Sequence, residues 1–438
     1  MLVTDLYELT MAAGYLRRGM RATATFSLFV RQLPRNRGFL VAAGLEDAVA
    51  GVLDLEVTAD DIRWLVGRQG WPEELAGPLT GLRFTGDIDA APEGSVVLAN
   101  EPLLEVTAPL PEAQLVETVV LNAVTYQTAL ASTAARCVLA ARGRPVVDFA
   151  LRRTHGVEAG IAAARAGAIA GFAATSNVAA AERYGLAAAG TMAHSFVQAF
   201  PDERAAFRAF ADDFPAAPTF LVDTYDTARG VAAAIEVIHE RGLAGRAAVR
   251  LDSGDLAAEA RLARDLLDAA GLDRVRIVVS GGLDDHGIDA LMTAGAPVDV
   301  FAVGTRVGTS ADAPMLDSAY KLVEYDGRPV TKLSPGKGYP PGRTQVWRRP
   351  GGPDVRAVRA ESGPPGASAL LLPVVRDGLP LEPAAGVAAA RGRCAAELAG
   401  LPASARRLVD PDPPICGLSP RLREEYDRVV AALRRPRP

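Results

Sequence analysis

Seven short apolar runs set the rhythm of the middle of this chain: Val146–Leu151, Ala170–Thr175, Gly190–His194, Thr219–Val222, Ala247–Leu251, Val275–Ser280 and Val298–Val303. Polar residues bound each run, and amphipathic stretches such as Ala228–Arg241 and Leu256–Ala270 lie between them. The runs predict buried strands and the stretches predict helices, so their alternation predicts βα units around a parallel sheet. Unit spacings of about 20–30 residues match a (β/α)8 barrel, but a doubly wound sheet has the same rhythm. Spacing leaves both architectures open.

The flanks read differently, which places domains at 1–143, 144–318 and 319–438. Thr4 to about Gly19 predicts a helix with Thr4 as N-cap and Gly19 as its stop. Ala22–Val30 alternates like a strand, Phe84–Thr107 is β-like around the turn at Pro92-Glu-Gly94, and about Glu112–Ala141 is helical. Beyond residue 319, Tyr325-Asp-Gly327 predicts a turn between two strand-like runs of Tyr320–Leu333, and Gln345–Arg349 predicts a further strand. The Pro- and Gly-rich segments 352–367 and 377–386 predict surface loops. Arg421–Arg435 predicts a charged amphipathic helix, and no solenoid repeat is present.

Composition narrows the class. With 438 residues, 49% hydrophobic and 23% charged, the chain can bury a large core in two or three domains without staples. A net charge of −5 with no basic block argues against nucleic acid or an anionic membrane as partner. The three cysteines, Cys137, Cys394 and Cys416, form no C-x-x-C pair, so neither a zinc ribbon nor a disulfide framework is expected, and a reducing cytoplasm fits. The acidic N-terminus is unlike a signal peptide, and no apolar stretch predicts a membrane span.

In a parallel barrel the loops after the strands meet at one face, so the residue following each run is where chemistry is sought. Here that reading gives Arg152 and Arg153, Ser176 and Asn177, His194 and Ser195, Asp223 to Asp226, Asp252 to Asp255, Ser280 to Gly282, and Gly304 to Arg306. A polar series recurring at one place in the unit outweighs any single member. His194 alone would read as a structural histidine, but among carboxylates and hydroxyls it is a candidate nucleophile at Nε2, with Asp223 or Asp226 to orient Nδ1. His155 reads as structural or supporting, His239 as a helix-end residue and His286 as a surface residue. Ser280-Gly281-Gly282 and Gly304-Thr305 each follow a run and precede a predicted helix, which suggests a phosphate grip; ordinary tight βα turns explain either one alone. There is no P-loop and no clean G-x-G-x-x-G. Arg250 and Asp252, two apart on one strand, face the same way and suit a phosphorylated sugar, although an ion pair capping the strand is the plain alternative.

Taken together, Thr4-Asp-Leu-Tyr7-Glu-Leu-Thr-Met-Ala, Phe149-Ala-Leu-Arg152-Arg-Thr-His-Gly, Thr175-Ser-Asn-Val, Gly190-Thr-Met-Ala-His194-Ser-Phe, Asp223-Thr-Tyr-Asp-Thr, Arg250-Leu-Asp252-Ser-Gly-Asp-Leu, Ser280-Gly-Gly-Leu-Asp, Gly304-Thr, and Tyr320-Lys-Leu-Val with Lys332-Leu-Ser-Pro-Gly-Lys resemble the nicotinate phosphoribosyltransferase family. The matches run in family order from residue 4 to about 348. The resemblance implies an α/β fold: an irregular parallel α/β barrel of the type II phosphoribosyltransferase kind, beside an α+β domain built from both chain termini. It implies a homodimer with shared sites that makes nicotinate mononucleotide and pyrophosphate from nicotinate and phosphoribosyl pyrophosphate in NAD biosynthesis, with ATP hydrolysis coupled through phosphohistidine at His194.

Several roles follow from the same resemblance. Asp223 would orient His194, Phe149 would stack on the pyridine ring, and Tyr7 would reach the ring from the neighbouring subunit. Arg152, Arg250 and Asp252 would hold the phosphoribosyl group and nicotinate, and Ser280, Gly281, Gly282, Gly304 and Thr305 the 5′-phosphate. Mg2+ would be held mainly through substrate rather than by a dedicated metal site. Ser176 stands where related nicotinamide enzymes carry a carboxylate, and its hydroxyl donor favours the acid. Nicotinamide or quinolinate transferases and a catalytically silent ligand-binding relative are the competing readings. Departures are few: Ala150 replaces a glycine and is expected to narrow the ring site, the segment before Thr4 is short enough to suggest an upstream start, and the C-terminal cysteine cluster of some relatives is missing.

Overall fold

The structure, a computed structural model, describes residues 2–349, 352–381 and 386–435. It divides into two compact units, one spanning Thr133–Pro314 and one built from Met1–Ser132 with Met315–Pro438. The question of the start falls on Met1, outside the described residues.

In the Thr133–Pro314 unit six of the seven apolar runs form strands: β1 Val146–Asp148, β2 Ala174–Thr175, β3 Thr219–Leu221, β4 Ala248–Leu251, β5 Arg276–Val279 and β6 Val300–Val303. Their lateral order is β2-β1-β6-β5-β4-β3, and every neighbouring pair is parallel. The last strand pairs with the first, so the order is a ring opened between β2 and β3. A doubly wound sheet instead grows outward from a central strand, and the fold is therefore an irregular α/β barrel.

The gap in that ring is where the remaining run, Gly190–His194, third in chain order, was expected as a strand. It forms none; a single bridge, Thr175 to Ala188, stands nearby, and His194 opens a short helix, His194–Gln198. The cause lies in the residues. Met192 is the one large apolar side chain available to bury, while Gly190 and Ala193 stay exposed, too little for a buried strand.

Helices Thr227–Arg241 and Leu256–Ala269 lie where the amphipathic pattern put them, capped by the side chains of Asp226 and Asp255. Gly230 lets the first of them press on the end of β3; a Cβ there would sit 2.0 Å from the Val222 carbonyl oxygen. The unit begins at Thr133 rather than 144 because the end of helix Glu117–Ala140 belongs to it. Arg136 forms a buried ion pair with Asp285 at 2.5 Å, and Thr133 donates to Asp312 at 2.9 Å.

In the other unit the two ends of the chain share one seven-stranded antiparallel sheet. Strand Thr23–Val30 lies between Pro102–Pro109 and Ser318–Tyr325, and Leu372–Arg376 pairs with Asp87–Ala90. Phe26 stacks on Tyr320 at 4.8 Å in its core. The turn at Asp326-Gly327 has φ of 51° and 68°, the left-handed pair a tight hairpin needs. Four local expectations change. Asp5, not Thr4, is the N-cap of helix Leu6–Arg17, because the Thr4 hydroxyl donates to Glu8 instead. The predicted long helix is two, Leu110–Leu115 and Glu117–Ala140. Val355–Val358, placed in a loop, is a strand paired with Thr344–Arg348, hidden by its Pro and Gly flanks. Leu379–Pro380, within 377–386, also pairs; residues 382–385 of that segment lie outside the described residues. Among the described residues no helix is long and apolar enough to cross a membrane.

Candidate active site

Two adjoining cavities open at the loops that follow the barrel strands, and four residues, Phe149, Arg152, Arg250 and Asp252, line both. The first, about 250 Å3, adds Ser176 and His194 to those four. The second, about 170 Å3, adds Arg153, Ser280, Gly281, Gly282, Gly304 and Thr305. A larger cavity of about 560 Å3 lies in the terminal unit, where Arg348 pairs with Glu397 and Asp354, but it holds none of the strand-end series.

Arg250 is the centre of the site. It is the penultimate residue of β4 and its side chain is 9% exposed. Nε donates to Ser280 Oγ at 2.9 Å, Nη1 to Thr191 Oγ1 at 2.8 Å and Met192 O at 3.4 Å, and Nη2 to Asp252 Oδ1 at 2.7 Å. Its guanidinium also lies over the Phe149 ring, 5.4 Å from the centroid. The same-face expectation for Arg250 and Asp252 is therefore what the structure shows. Most of the arginine's donors are spent inside the protein, however, so it shapes the site more than it reaches a ligand. Arg152 and Arg153, exposed on the turn Leu151–Arg153, carry no ion pair among the described residues and are the cations free to meet an anion. Burial pushes the Asp252 carboxyl up, but hydrogen bonding to Ser280 and the Arg250 charge outweigh it and hold it below the usual carboxylate range.

His194 sits at the start of its short helix, which is anchored by buried Val197 and by Phe196 packed between Phe200 and Phe210. Its Nδ1 lies 3.1 Å from Thr224 Oγ1. This corrects the expected partner. Asp223 Oδ2 instead accepts from the Asp252 backbone N–H at 2.8 Å and from Ser253 Oγ at 2.7 Å, so Asp223 organises the loop after β4. Asp226 is committed to capping Thr227–Arg241, accepting from the Arg229 N–H. Thr224 was missed because a threonine between two aspartates carries no signal of its own.

The glycines act by close approach. Gly281 has φ +97°, and a Cβ on it would lie 2.1 Å from the Asp252 carbonyl oxygen; at Gly304 a Cβ would lie 2.9 Å from the Phe149 carbonyl oxygen. The helix Asp285–Thr293 does not offer its N-terminus to a ligand as expected, because Asp284 caps it and pairs with Arg306. Gly281→Ala is accordingly expected to lower stability by about 2–4 kcal/mol, combining a forbidden φ with a backbone clash, and to enlarge and disorder the second cavity. Thermal denaturation and a crystal structure of the variant check this; an unchanged melting temperature contradicts it.

Position settles one further sequence expectation. Ala150 does not narrow the ring site: it is buried, lines neither cavity, and faces Gly308, where a Cβ would lie 2.6 Å from the alanine methyl. Tyr7 lies in the other unit on helix Leu6–Arg17, 47% exposed, with burial and the nearby Glu117 carboxylate raising its phenol. Among the described residues no group of three or more His, Cys, Asp or Glu side chains is placed to hold a metal ion.

The chain matches the model of the nicotinate phosphoribosyltransferase N-terminal domain over residues 2–125 and that of the nicotinate phosphoribosyltransferase family over residues 145–339. It is 52% identical over 349 residues to nicotinate phosphoribosyltransferase pncB2 of Mycobacterium tuberculosis, covering 80% of this chain and 75% of that one. With the Bacillus subtilis nicotinate phosphoribosyltransferase it shares 43% over 354 residues, 79% of this chain and 72% of the relative. The crystal structure of human nicotinic acid phosphoribosyltransferase superimposes with a TM-score of 0.86 at 30% identity, over 98% of this chain and 100% of that one. With an open-ringed parallel barrel, an Arg250-centred pair of cavities and these matches in both the terminal and the barrel segments, the chain belongs to the nicotinate phosphoribosyltransferase family.

Proposed function

We propose that this protein is an ATP-coupled nicotinate phosphoribosyltransferase of NAD biosynthesis, joining the ring nitrogen of nicotinate to C1 of phosphoribosyl pyrophosphate and releasing pyrophosphate. The observation that carries the reading is the shared wall of the two cavities. Phe149, Arg152, Arg250 and Asp252 border an aromatic and hydroxyl-lined space on one side and a glycine-lined space with free arginines on the other. That division suits a planar acid next to a sugar phosphate.

In this reading the pyridine ring lies on Phe149 with Ser176 donating to its carboxylate, and Arg152 and Arg153 draw in the anionic groups. The backbone around Gly281, Gly282, Gly304 and Thr305 receives the 5′-phosphate. As the C1–O bond to pyrophosphate breaks and the C1–N bond forms, positive charge develops on the ribose. Asp252, held ionised, faces that charge and accepts from the ribose hydroxyls. No side chain need take a proton, because the ring nitrogen attacks with its own lone pair, so catalysis is positioning and electrostatics. Magnesium, when bound with the substrate, neutralises charge on the pyrophosphate. Asp252, the carboxylate common to both cavities, would hold it together with substrate oxygens.

The ATP step falls to His194. With its Nδ1 proton donated to Thr224 Oγ1, Nε2 keeps its lone pair and has no hydrogen-bond partner among the described residues. It takes the γ-phosphoryl group, forming N–P as the P–O bond to ADP breaks, and water later releases phosphate. A homodimer, with Tyr7 offered from the partner subunit, completes the proposal; its half-exposed position is compatible with that use.

One assay tests the whole: nicotinate, phosphoribosyl pyrophosphate and magnesium, with and without ATP, scored for the mononucleotide. We expect product that increases with ATP, and kcat/KM for nicotinamide lower by about a hundredfold or more, as when a site's buried polar partners go unpaired. A preference for nicotinamide or quinolinate would replace the substrate assignment.

A further inference from the structure

Beneath the two cavities lies a carboxylate that the mechanism above does not use. Asp148, the last residue of β1, is 2% exposed. Its Oδ1 accepts from the Ala150 backbone N–H at 2.8 Å, and its Oδ2 accepts from the Thr175 hydroxyl at 2.6 Å. Thr175 Oγ1 in turn accepts from the Asn177 N–H at 3.0 Å, and the Asp148 carbonyl accepts from the Ser176 N–H at 2.8 Å. Asn177 then caps the next helix through Ala180 N–H. One buried side chain thus ties together two loops. The first carries Phe149 and Arg152; the second carries Ser176.

We infer that Asp148 is a positioning residue that sets the aromatic shelf and the Ser176 donor at a fixed separation, and so determines which pyridine the site accepts. This rests on the proposed reaction. The chemistry of the pair explains why aspartate is required. Its partners here are neutral donors, and burial raises its carboxyl above the usual range while the two hydrogen bonds pull it back. Each oxygen accepts one bond, and Thr175 both donates and accepts, so the direction of every bond from Ala150 to Asn177 is fixed. An asparagine breaks this. If its oxygen serves Ala150, its NH2 faces a Thr175 oxygen that already accepts from Asn177, and the threonine proton loses its acceptor. If the amide is flipped, its NH2 opposes the Ala150 N–H. Either arrangement leaves a buried donor unsatisfied.

The test compares wild type with Asp148→Asn, Thr175→Val and Thr175→Ser, by amide hydrogen exchange without ligand and by steady-state kinetics. Asp148→Asn is expected to speed exchange in both 149–153 and 175–180. It should raise KM for nicotinate about tenfold, with KM for phosphoribosyl pyrophosphate changing less than about threefold, and lower the nicotinate-to-nicotinamide ratio about tenfold, the scale of one lost buried hydrogen bond with its unpaired partner. Thr175→Val, which keeps the carboxylate but removes the link, should show the same pattern, and Thr175→Ser should restore it. Faster exchange in one segment alone, or a fall in kcat with the selectivity ratio unchanged, overturns the inference. If Asp148→Asn does not fold, the Thr175 pair decides by the same readouts. Absence of nicotinate turnover in the wild type would remove the proposed function, whereas the exchange result tests the coupling of the loops by itself.

Discussion

His194→Ala is expected to lose acid-labile phosphate incorporation from labelled ATP and the ATP hydrolysis that follows it, by at least about a hundredfold, as for removal of a covalent nucleophile. The fold should survive. The helix that carries His194 is held by Val197 and the Phe196–Phe200–Phe210 cluster, and the imidazole itself is only half-buried. Transferase activity without ATP should persist at a reduced level, because Phe149, Arg250 and Asp252 do not depend on the ring for their contacts with one another. Thr224→Val should give a weaker version, phosphorylation slowed about tenfold, since the imidazole loses the hydroxyl that holds its tautomer. The measurement is a time course of radiolabel retained after alkaline quench and lost after acid. Undiminished labelling of His194→Ala would remove the phosphohistidine from the mechanism.

Why Thr224 and not Asp223 bonds the imidazole shows how far a sequence can be read. Strand ends announce themselves because apolar runs stop abruptly, so the polar residues that follow β1, β4, β5 and β6 were legible as a series and line the two cavities. Which neighbour bonds which was not legible. Asp223 and Thr224 are adjacent, and the sequence does not say which faces His194; in the fold Asp252 N–H and Ser253 engage Asp223, and Thr224 meets the imidazole. The barrel itself was ambiguous for a related reason. Spacing reports the length of a βα unit but not whether the last strand meets the first, and only the β6–β1 pairing answers that. The expected third strand failed where a run of small residues resembled an apolar one. Asp148 went unnoticed because it lies inside the run Val146–Leu151, whose end was read at Arg152, and nothing in sequence shows that its two oxygens are both used beneath the site.

Arg250→Ala is the second large effect, and its pH dependence separates pairing from packing. The substitution strands Asp252, removes the donors of Thr191 and Ser280, and leaves Phe149 without the guanidinium over its face. Breaking a mostly buried ion pair costs about 3–5 kcal/mol, and the 31% exposure of the Asp252 side chain lowers that to about 2–4 kcal/mol at neutral pH. In kcat/KM for the transferase reaction we expect a loss of about a thousandfold, because Asp252 and Phe149 lose their placement together. Arg250→Lys should recover part of the stability through the charge on Asp252 but little of the activity, since an ammonium cannot serve Ser280, Thr191 and Asp252 at once. The sign of the pH effect follows from Asp252. Its carboxyl is held below the ordinary value in the folded protein, so its contribution to stability is present above the unfolded value of about 4 and is lost as pH falls through the folded one. The gap in melting temperature between wild type and Arg250→Ala should therefore be widest near pH 7 and narrow as pH falls below the ordinary carboxylate value and Asp252 takes up its proton. A gap that stays constant across that range would mean that the arginine stabilises this site by packing alone, and that the charge on Asp252 is not what it holds in place.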